Sequence, residues 1–234
     1  MPTQEECVKL GDLDYLEFLR SIEGTLSSFP GSPWVLAPDH FVLRHDIDDN
    51  LDRAVQMAEI EAAHGFHSTF FMLDTMPYFE SGFDKMRHIQ SLGHEVGWHN
   101  NAIAAAVLSV GKDAAREGAP LDEALRDAIE RPLRAMRDHG LVVRGTASHG
   151  DSLCGELDFV NYQAWDCYPK KNALNHRQHR LADFGLDYEA YYCKGRRLSD
   201  SGGQFNTDPA AMIAQWNDAH EWPIYILVHC QWWS

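Results

Sequence analysis

Two aspartates close a short apolar run. In Phe41-Val42-Leu43-Arg44-His45-Asp46-Ile47-Asp48 an extended chain puts alternate side chains on opposite faces, so Asp46 and Asp48 share one side. A carboxylate pair at the C-terminal end of a strand suits two tasks, one holding a metal ion and the other moving a proton. Asp48, with Asp49 and Asn50, also reads as the cap of the helical pattern that begins at Leu51. The rest of the chain weighs against capping alone. His99, His149 and His229 each stand at the end of another predicted strand. Imidazoles beside a carboxylate are the donors of a catalytic metal that keeps a position open for substrate. Taken singly, a strand-end histidine is more often a hydrogen-bonded structural residue. Three of them, with an Asp pair at the same strand ends, describe a site.

Bringing these residues together requires strands that finish at a common edge. Leu51 to His64 reads as a helix closed by Gly65, His67 to Leu73 as a strand, and Asp84 to Leu92 as a helix stopped at Gly93. Glu95 to His99 is the next strand; Glu95, Gly97 and His99 share one face and His94 the other. Leu121 to Met136 keeps the helical period, with Pro132 expected to kink or split it. Leu141 to Ala147 is a fourth strand, on which Val143, Gly145, Ala147 and His149 share a face whose small residues would leave room for a ligand. Residues 150 to 206 are less regular, with strands expected near Phe159 to Tyr162 and Tyr188 to Cys193. Pro209 to His220 is a final helix with proline in its first turn, and Pro223 to His229 a last strand, apolar on both faces as inside a parallel sheet. Such alternation predicts a single-domain α/β fold, a parallel sheet or barrel, with its site at the C-terminal ends of the strands. Residues 1–40, with a loose apolar stripe from Val8 to Ile22, are expected to form an N-terminal helix and lead-in packed on a barrel spanning residues 41–234.

The bulk properties exclude some classes. A formal charge of -15 argues against a nucleic-acid or anionic-membrane surface, which needs a basic face. No apolar stretch approaches the roughly eighteen residues of a spanning helix, so no membrane insertion is expected. Cys7, Cys154, Cys167, Cys193 and Cys230 are scattered without CxxC spacing and read as free thiols in a reducing compartment. Residues 1–6 lack a basic and then apolar leader pattern, so a soluble cytoplasmic protein is the expectation.

Three segments carry a resemblance. Arg44-His45-Asp46-Ile47-Asp48, Ser68-Thr69-Phe70-Phe71 and Gly93-His94-Glu95-Val96-Gly97-Trp98-His99 resemble the polysaccharide deacetylases, carbohydrate esterase family 4 with its nodulation-deacetylase homology domain. The tail, Leu198-Ser199-Asp200-Ser201-Gly202-Gly203 with Leu227-Val228-His229-Cys230-Gln231-Trp232-Trp233, is similar to a branch of that superfamily found among bacterial surface-polysaccharide and O-antigen genes. The resemblance spans roughly residues 40–234 and is weak over 150–187. It implies an irregular (β/α) barrel of about seven strands and metal-dependent removal of an N- or O-acyl group, acetyl or formyl, from a sugar. It assigns Asp46 as catalytic base, Asp48 as metal carboxylate, His99 as the first histidine of a His-x-x-x-His metal pair and His229 as general acid. The second histidine of that pair falls at Ile103, which cannot ligate a metal. His149 is the candidate for the third ligand instead.

On this reading a divalent ion, Zn²⁺ by its donor set, is held by Asp48, His99 and His149. Asp46 takes a proton from water and His229 gives one to the leaving group. Arg144 or Arg44 would orient Asp46. Asp200 would orient His229, or else cap a turn. Trp98, Trp232 and Trp233 are candidates to stack on a sugar face, although packing is the expected role of at least two. The expected partner is a soluble sugar or a nucleotide- or lipid-linked saccharide precursor. Two alternatives remain: an inactive, carbohydrate-binding relative, to which Ile103 points, and a non-haem iron oxygenase, which shares a two-histidine, one-carboxylate triad but needs a β scaffold that the helical periods oppose. A phosphate-ester hydrolase lacks a basic cluster beside the site.

Overall fold

The computed structural model describes residues 8–11, 13–21, 26–27, 41–117, 119–170, 174–192, 195–221 and 223–234. Seven strands form one parallel sheet: β1 Phe41–Ile47, β2 Thr69–Leu73, β3 Glu95–Asn100, β4 Gly145–Ser148, β5 Tyr188–Glu189, β6 Arg196–Ser199 and β7 Ile224–His229. Their order in the sheet is β5-β4-β3-β2-β1-β7-β6, and Leu26–Ser27 adds a short parallel strand at the start of β1. Helices cross between them: α1 Leu51–Ala63, α2 Phe83–Ser91, α3 Ala102–Val110, α4 Lys112–Glu117, α5 Ala119–Asp138, α6 Ser152–Glu156 and α7 Pro209–Asp218. The predicted single-domain (β/α) barrel is the fold observed, curled but open between β5 and β6 among the described residues.

The curl follows from side-chain size. On the concave side Val42, Phe71, Ala147, Tyr188, Ala190, Tyr225 and Leu227 make their own buried cluster. Tyr188 on β5 reaches across two intervening strands to meet Phe71 on β2, ring centroids 6.5 Å apart and nearly perpendicular. Two glycines permit this. A Cβ at Gly145 would lie 2.1 Å from the Tyr188 ring, and one at Gly97 2.5 Å from the Phe71 ring. The small residues of β4 therefore leave space that Tyr188 fills at Gly145, where a ligand cavity was expected. On the convex side Leu43, Ile47, Phe70, Met72, Val96, Trp98, Ile224, Ile226 and Val228 pack in the main core with the helices.

Some local expectations change. Pro132 sits inside one continuous helix, α5, and neither splits it nor ends it. The stretch expected as a strand near Phe159 holds a single 3-10 turn, Asn161–Ala164, and β5 is only two residues before another turn, Ala190–Tyr192. Cys7 and Cys193 lie outside the described residues, whereas Cys154, Cys167 and Cys230 are free thiols. Before the barrel, Tyr15–Ser21 forms a short helix, and Lys9 exchanges two backbone hydrogen bonds with Ser234, 2.9 and 2.7 Å long. No helix among the described residues is long and apolar enough to cross a membrane.

Candidate active site

β1 brings Arg44 and Asp46 to the concave face while Leu43, His45 and Ile47 turn outward, as the period of two requires. Both residues are buried and fork to fork: Arg44 Nε donates to Asp46 Oδ1 at 2.5 Å and Nη2 to Oδ2 at 2.6 Å. Arg44 Nη1 donates to the Tyr225 hydroxyl at 3.0 Å, which itself donates to the Ala190 carbonyl. Burial would raise the Asp46 pKa, but the Arg44 guanidinium, with His99 behind it, holds it below the usual carboxylate value. Arg44 is thus the arginine that orients Asp46. Arg144 is not: it lies on the surface, paired with Asp187 at 2.7 Å.

Capping of α1 is done elsewhere. The Asn50 side chain accepts from Arg53 N–H, with Asn50 itself in the left-handed region at φ 55°. Asp48 is therefore free to face the barrel mouth. There Asp48 Oδ1 stands 3.3 Å from His99 Nε2 and 3.8 Å from His149 Nε2, and one donor atom from each of the three residues lies within 4.8 Å of the other two. His99 Nδ1–H donates to the Ala147 carbonyl at 2.7 Å, which fixes the tautomer and turns the Nε2 lone pair toward the aspartates. The His99 and His149 rings are perpendicular at 5.1 Å. Burial opposes charge on His99, but Asp46 and Asp48 outweigh it and raise its pKa; on His149 burial and His99 together lower it. Asp48 is pulled well down against its burial, through His99 first.

These three residues fit a divalent ion. Asp48 Oδ1 is buried and, among the described residues, makes no hydrogen bond of normal geometry; its neighbours are the His99 and His149 Nε2 atoms, and a cation seated between the three would satisfy it. Two imidazole nitrogens face the same point, a donor set suited to zinc with a position left open. His149, and not Ile103, is placed where a third donor could stand. The Ile103 side chain is buried in the main core, and its backbone N–H donates to Asn161 Oδ1 at 3.0 Å. Asn161 Nδ2 donates to the His149 carbonyl at 2.9 Å and to Asn101 Oδ1 at 2.8 Å, so this buried amide ties the start of α3 to the loop carrying His149.

The other side of the mouth is β7, paired to β1 in a register that sets His229 opposite Asp46. His229 Nδ1–H donates to Asp200 Oδ1 at 2.6 Å, leaving Nε2 on the far edge of the ring. Burial disfavours the imidazolium, but the Asp200 hydrogen bond and then Asp46 raise its pKa. Asp200 also accepts from the His229 backbone, so it orients the histidine and is no mere turn cap. Gln231 Nε2 donates to Asp48 Oδ2 at 3.3 Å. Sequence reasoning missed Gln231, Asn161 and Tyr225; the only signal was their polarity beside or across from the strand ends.

The tryptophans separate by burial. Trp98 is wholly buried on the convex side, its indole N–H donating to Asp74, so it cannot stack on a sugar. Trp233 is buried as well, whereas Trp232 is 44% exposed and next in the chain to Gln231.

No family model and no curated protein matches the chain. Among solved structures it is similar to a CE4 family pseudoenzyme from Bacillus anthracis (13% identity, 81% of this chain and 54% of that one, TM-score 0.44). It is also similar to the catalytic domain of a peptidoglycan N-acetylglucosamine deacetylase from Eubacterium rectale (13% identity, 82% and 76%, TM-score 0.48). A family 4 carbohydrate esterase from Bacillus anthracis is a third (14% identity, 88% and 84%, TM-score 0.36). The chain spans about half the length of the first of these.

Proposed function

We propose that this protein is a metal-dependent hydrolase that removes an acyl group, acetyl or formyl, from a sugar or surface-polysaccharide precursor. The observation that carries the reading is the convergence of a buried Asp48 oxygen and two imidazole nitrogens within 4.8 Å of one another, with a held carboxylate on one side and a held imidazole on the other. Asp48, His99 and His149 would hold a divalent ion, Zn²⁺ by its donors, which when bound polarises the acyl carbonyl and acidifies water. Asp46, ionised beside Arg44, accepts a proton from the attacking water. His229, whose Nδ1–H is committed to Asp200, gives the proton on Nε2 to the departing nitrogen or oxygen as the acyl bond breaks. Products are the carboxylate of the acyl group and the free amine or hydroxyl. Support for a sugar comes from the sequence resemblance and from Trp232, 44% exposed and next in the chain to Gln231, whose flat face suits a pyranose. A cytoplasmic, nucleotide- or lipid-linked saccharide is the substrate form we favour.

The test is metal analysis together with acyl release from acetylated amino sugars. Wild-type protein should hold about one ion per chain and release acetate. Asp46→Asn should keep the metal and lose about 10²-fold or more in kcat, whereas His149→Ala should lose both. Metal at the wild-type level in His149→Ala would remove the ligand set. Metal bound with no release from any acylated sugar would favour the second reading, to which Ile103 points: a carbohydrate-binding protein on the same scaffold.

A further inference from the structure

Asp200 is fully buried and pinned at both oxygens. Oδ1 takes the His229 Nδ1–H, while Oδ2 takes the His229 backbone N–H at 2.9 Å and the Trp233 indole N–H at 2.9 Å. Among the described residues, Trp233 supplies the side-chain donor to this carboxylate from outside the His229 residue itself. Its indole is in turn gripped by the N-terminal helix. The Tyr15 ring meets it edge-on at 4.9 Å and the Phe18 ring lies 5.8 Å away, with Phe205 in turn stacked on Phe18 at 5.6 Å.

That helix is itself anchored to the strand of the base. The Tyr15 hydroxyl donates to Glu61 Oε1 on α1, the same oxygen that lies 2.7 Å from His45 Nε2. Ser68 Oγ donates to the other oxygen of Glu61. His45 directly precedes Asp46. A continuous buried path thus runs outside the barrel from the base strand, through Glu61, Tyr15, Trp233 and Asp200, to His229. The paired backbones of Lys9 and Ser234 clamp its open end.

We propose that Trp233, held by Tyr15 and Phe18, is a positioning residue for the proton-donating side of the reaction: it locks Asp200 in the rotation that orients His229. The proposal rests on the deacylase reading of the site. Packing alone does not account for the arrangement, because a phenyl ring would fill much of the same space while only an indole N–H reaches Asp200. Without that donor a buried carboxylate oxygen loses half of its hydrogen bonding, and the carboxylate regains freedom to turn away from Nδ1.

The test is Trp233→Phe, assayed with metal bound on two substrates. An acetylated amino sugar has a poor leaving group that needs protonation; 4-nitrophenyl acetate has one that leaves without it. Loss of orientation should lower kcat on the sugar by about tenfold or more, out of the roughly 10²–10⁴-fold a general acid supplies, lower it much less on the aryl ester, and leave metal content unchanged. Equal loss on both substrates, or no loss on either, overturns the proposal. A second measurement needs neither the variant nor turnover. In wild-type protein the Trp233 indole N–H and the His229 Nδ1–H, the latter assigned by its absence in His229→Gln, should both be strongly protected from hydrogen exchange. An indole proton exchanging at the rate of an exposed side chain would overturn the proposal even if Trp233→Phe fails to fold. If the wild type cleaves neither substrate, the deacylase reading fails, and the exchange result alone decides whether Trp233 holds Asp200.

Discussion

Arg44 and Asp46 are two residues apart, both buried, and joined by two parallel hydrogen bonds. Their pairing does two separable things. It keeps the base ionised and aimed, and it neutralises a charge that the barrel interior would otherwise exclude. Arg44→Met leaves the Asp46 carboxylate without its partner and should cost about 3–5 kcal/mol in urea unfolding, the range for half of a buried pair. Arg44→Lys keeps the charge but not the fork, so stability should fall less and deacylation more. A urea midpoint unchanged in Arg44→Met would show that Asp46 is not held as described. Sequence left Arg44 and Arg144 as rivals for this role, since the register of Arg144 was open and Arg44 shares a strand face with Asp46. The Arg44–Asp46 fork and the pairing of Arg144 with Asp187 at the outer surface separate them.

At the level of elements, the strand ends carry the chemistry and the strand middles shape the barrel. Gly145 and Gly97 let Tyr188 and Phe71 cross the concave face, and Tyr188 then closes the floor beneath the site. Gly145→Ala places a methyl group inside the Tyr188 ring position. We expect a loss of about 1–3 kcal/mol from overpacking, and metal content that stays intact because His99 and His149 stand above that level. A melting temperature equal to wild type would mean the ring has room to move. Helix α5 makes the complementary point. Pro132 removes an intrahelical hydrogen bond, a local cost of about 3 kcal/mol, yet α5 runs through it. Leu121, Leu125, Ile129, Leu133 and Met136 keep one buried face across the proline. Local propensity lost to tertiary burial.

For the whole molecule, pH dependence combines groups of opposite sign. Burial, partly offset by Tyr188 and Thr69, pushes Glu95 up from 4.5 to about 7. Between those values the folded protein binds a proton that the unfolded chain has released, so this group's contribution falls as pH rises through the window. Asp46 and Glu61 shift down, through Arg44 and His45 respectively acting against burial. Their contributions are present above the usual carboxylate value and are lost as pH falls into the acid range. Stability should therefore peak in mildly acidic solution. Burial raises Glu189 to about 7 as well, so Glu95→Gln should reduce the decline between about pH 5 and 8 without removing it, a change on the order of 2 kcal/mol, seen as melting temperatures that draw closer at the two pH values. An unaltered decline would assign it to another group.

The sequence by itself determined the alternation of strands and helices and the α/β class, and it placed Asp46, Asp48, His99, His149 and His229 at or beside strand ends. Each of these rests on local periodicity or on a strand's end, and both are properties of neighbouring residues. Tertiary structure decided the rest. Gln231 reaches Asp48 from 183 residues away, and Asn161 links α3 to His149 across 58 and 12 residues. Trp98 and Trp232 are alike in type but lie on opposite sides of the solvent boundary. Contacts of that kind depend on how far the sheet curls and which loop closes on which strand. Those outcomes are set by packing among side chains distant in the chain, and no spacing within a segment encodes them.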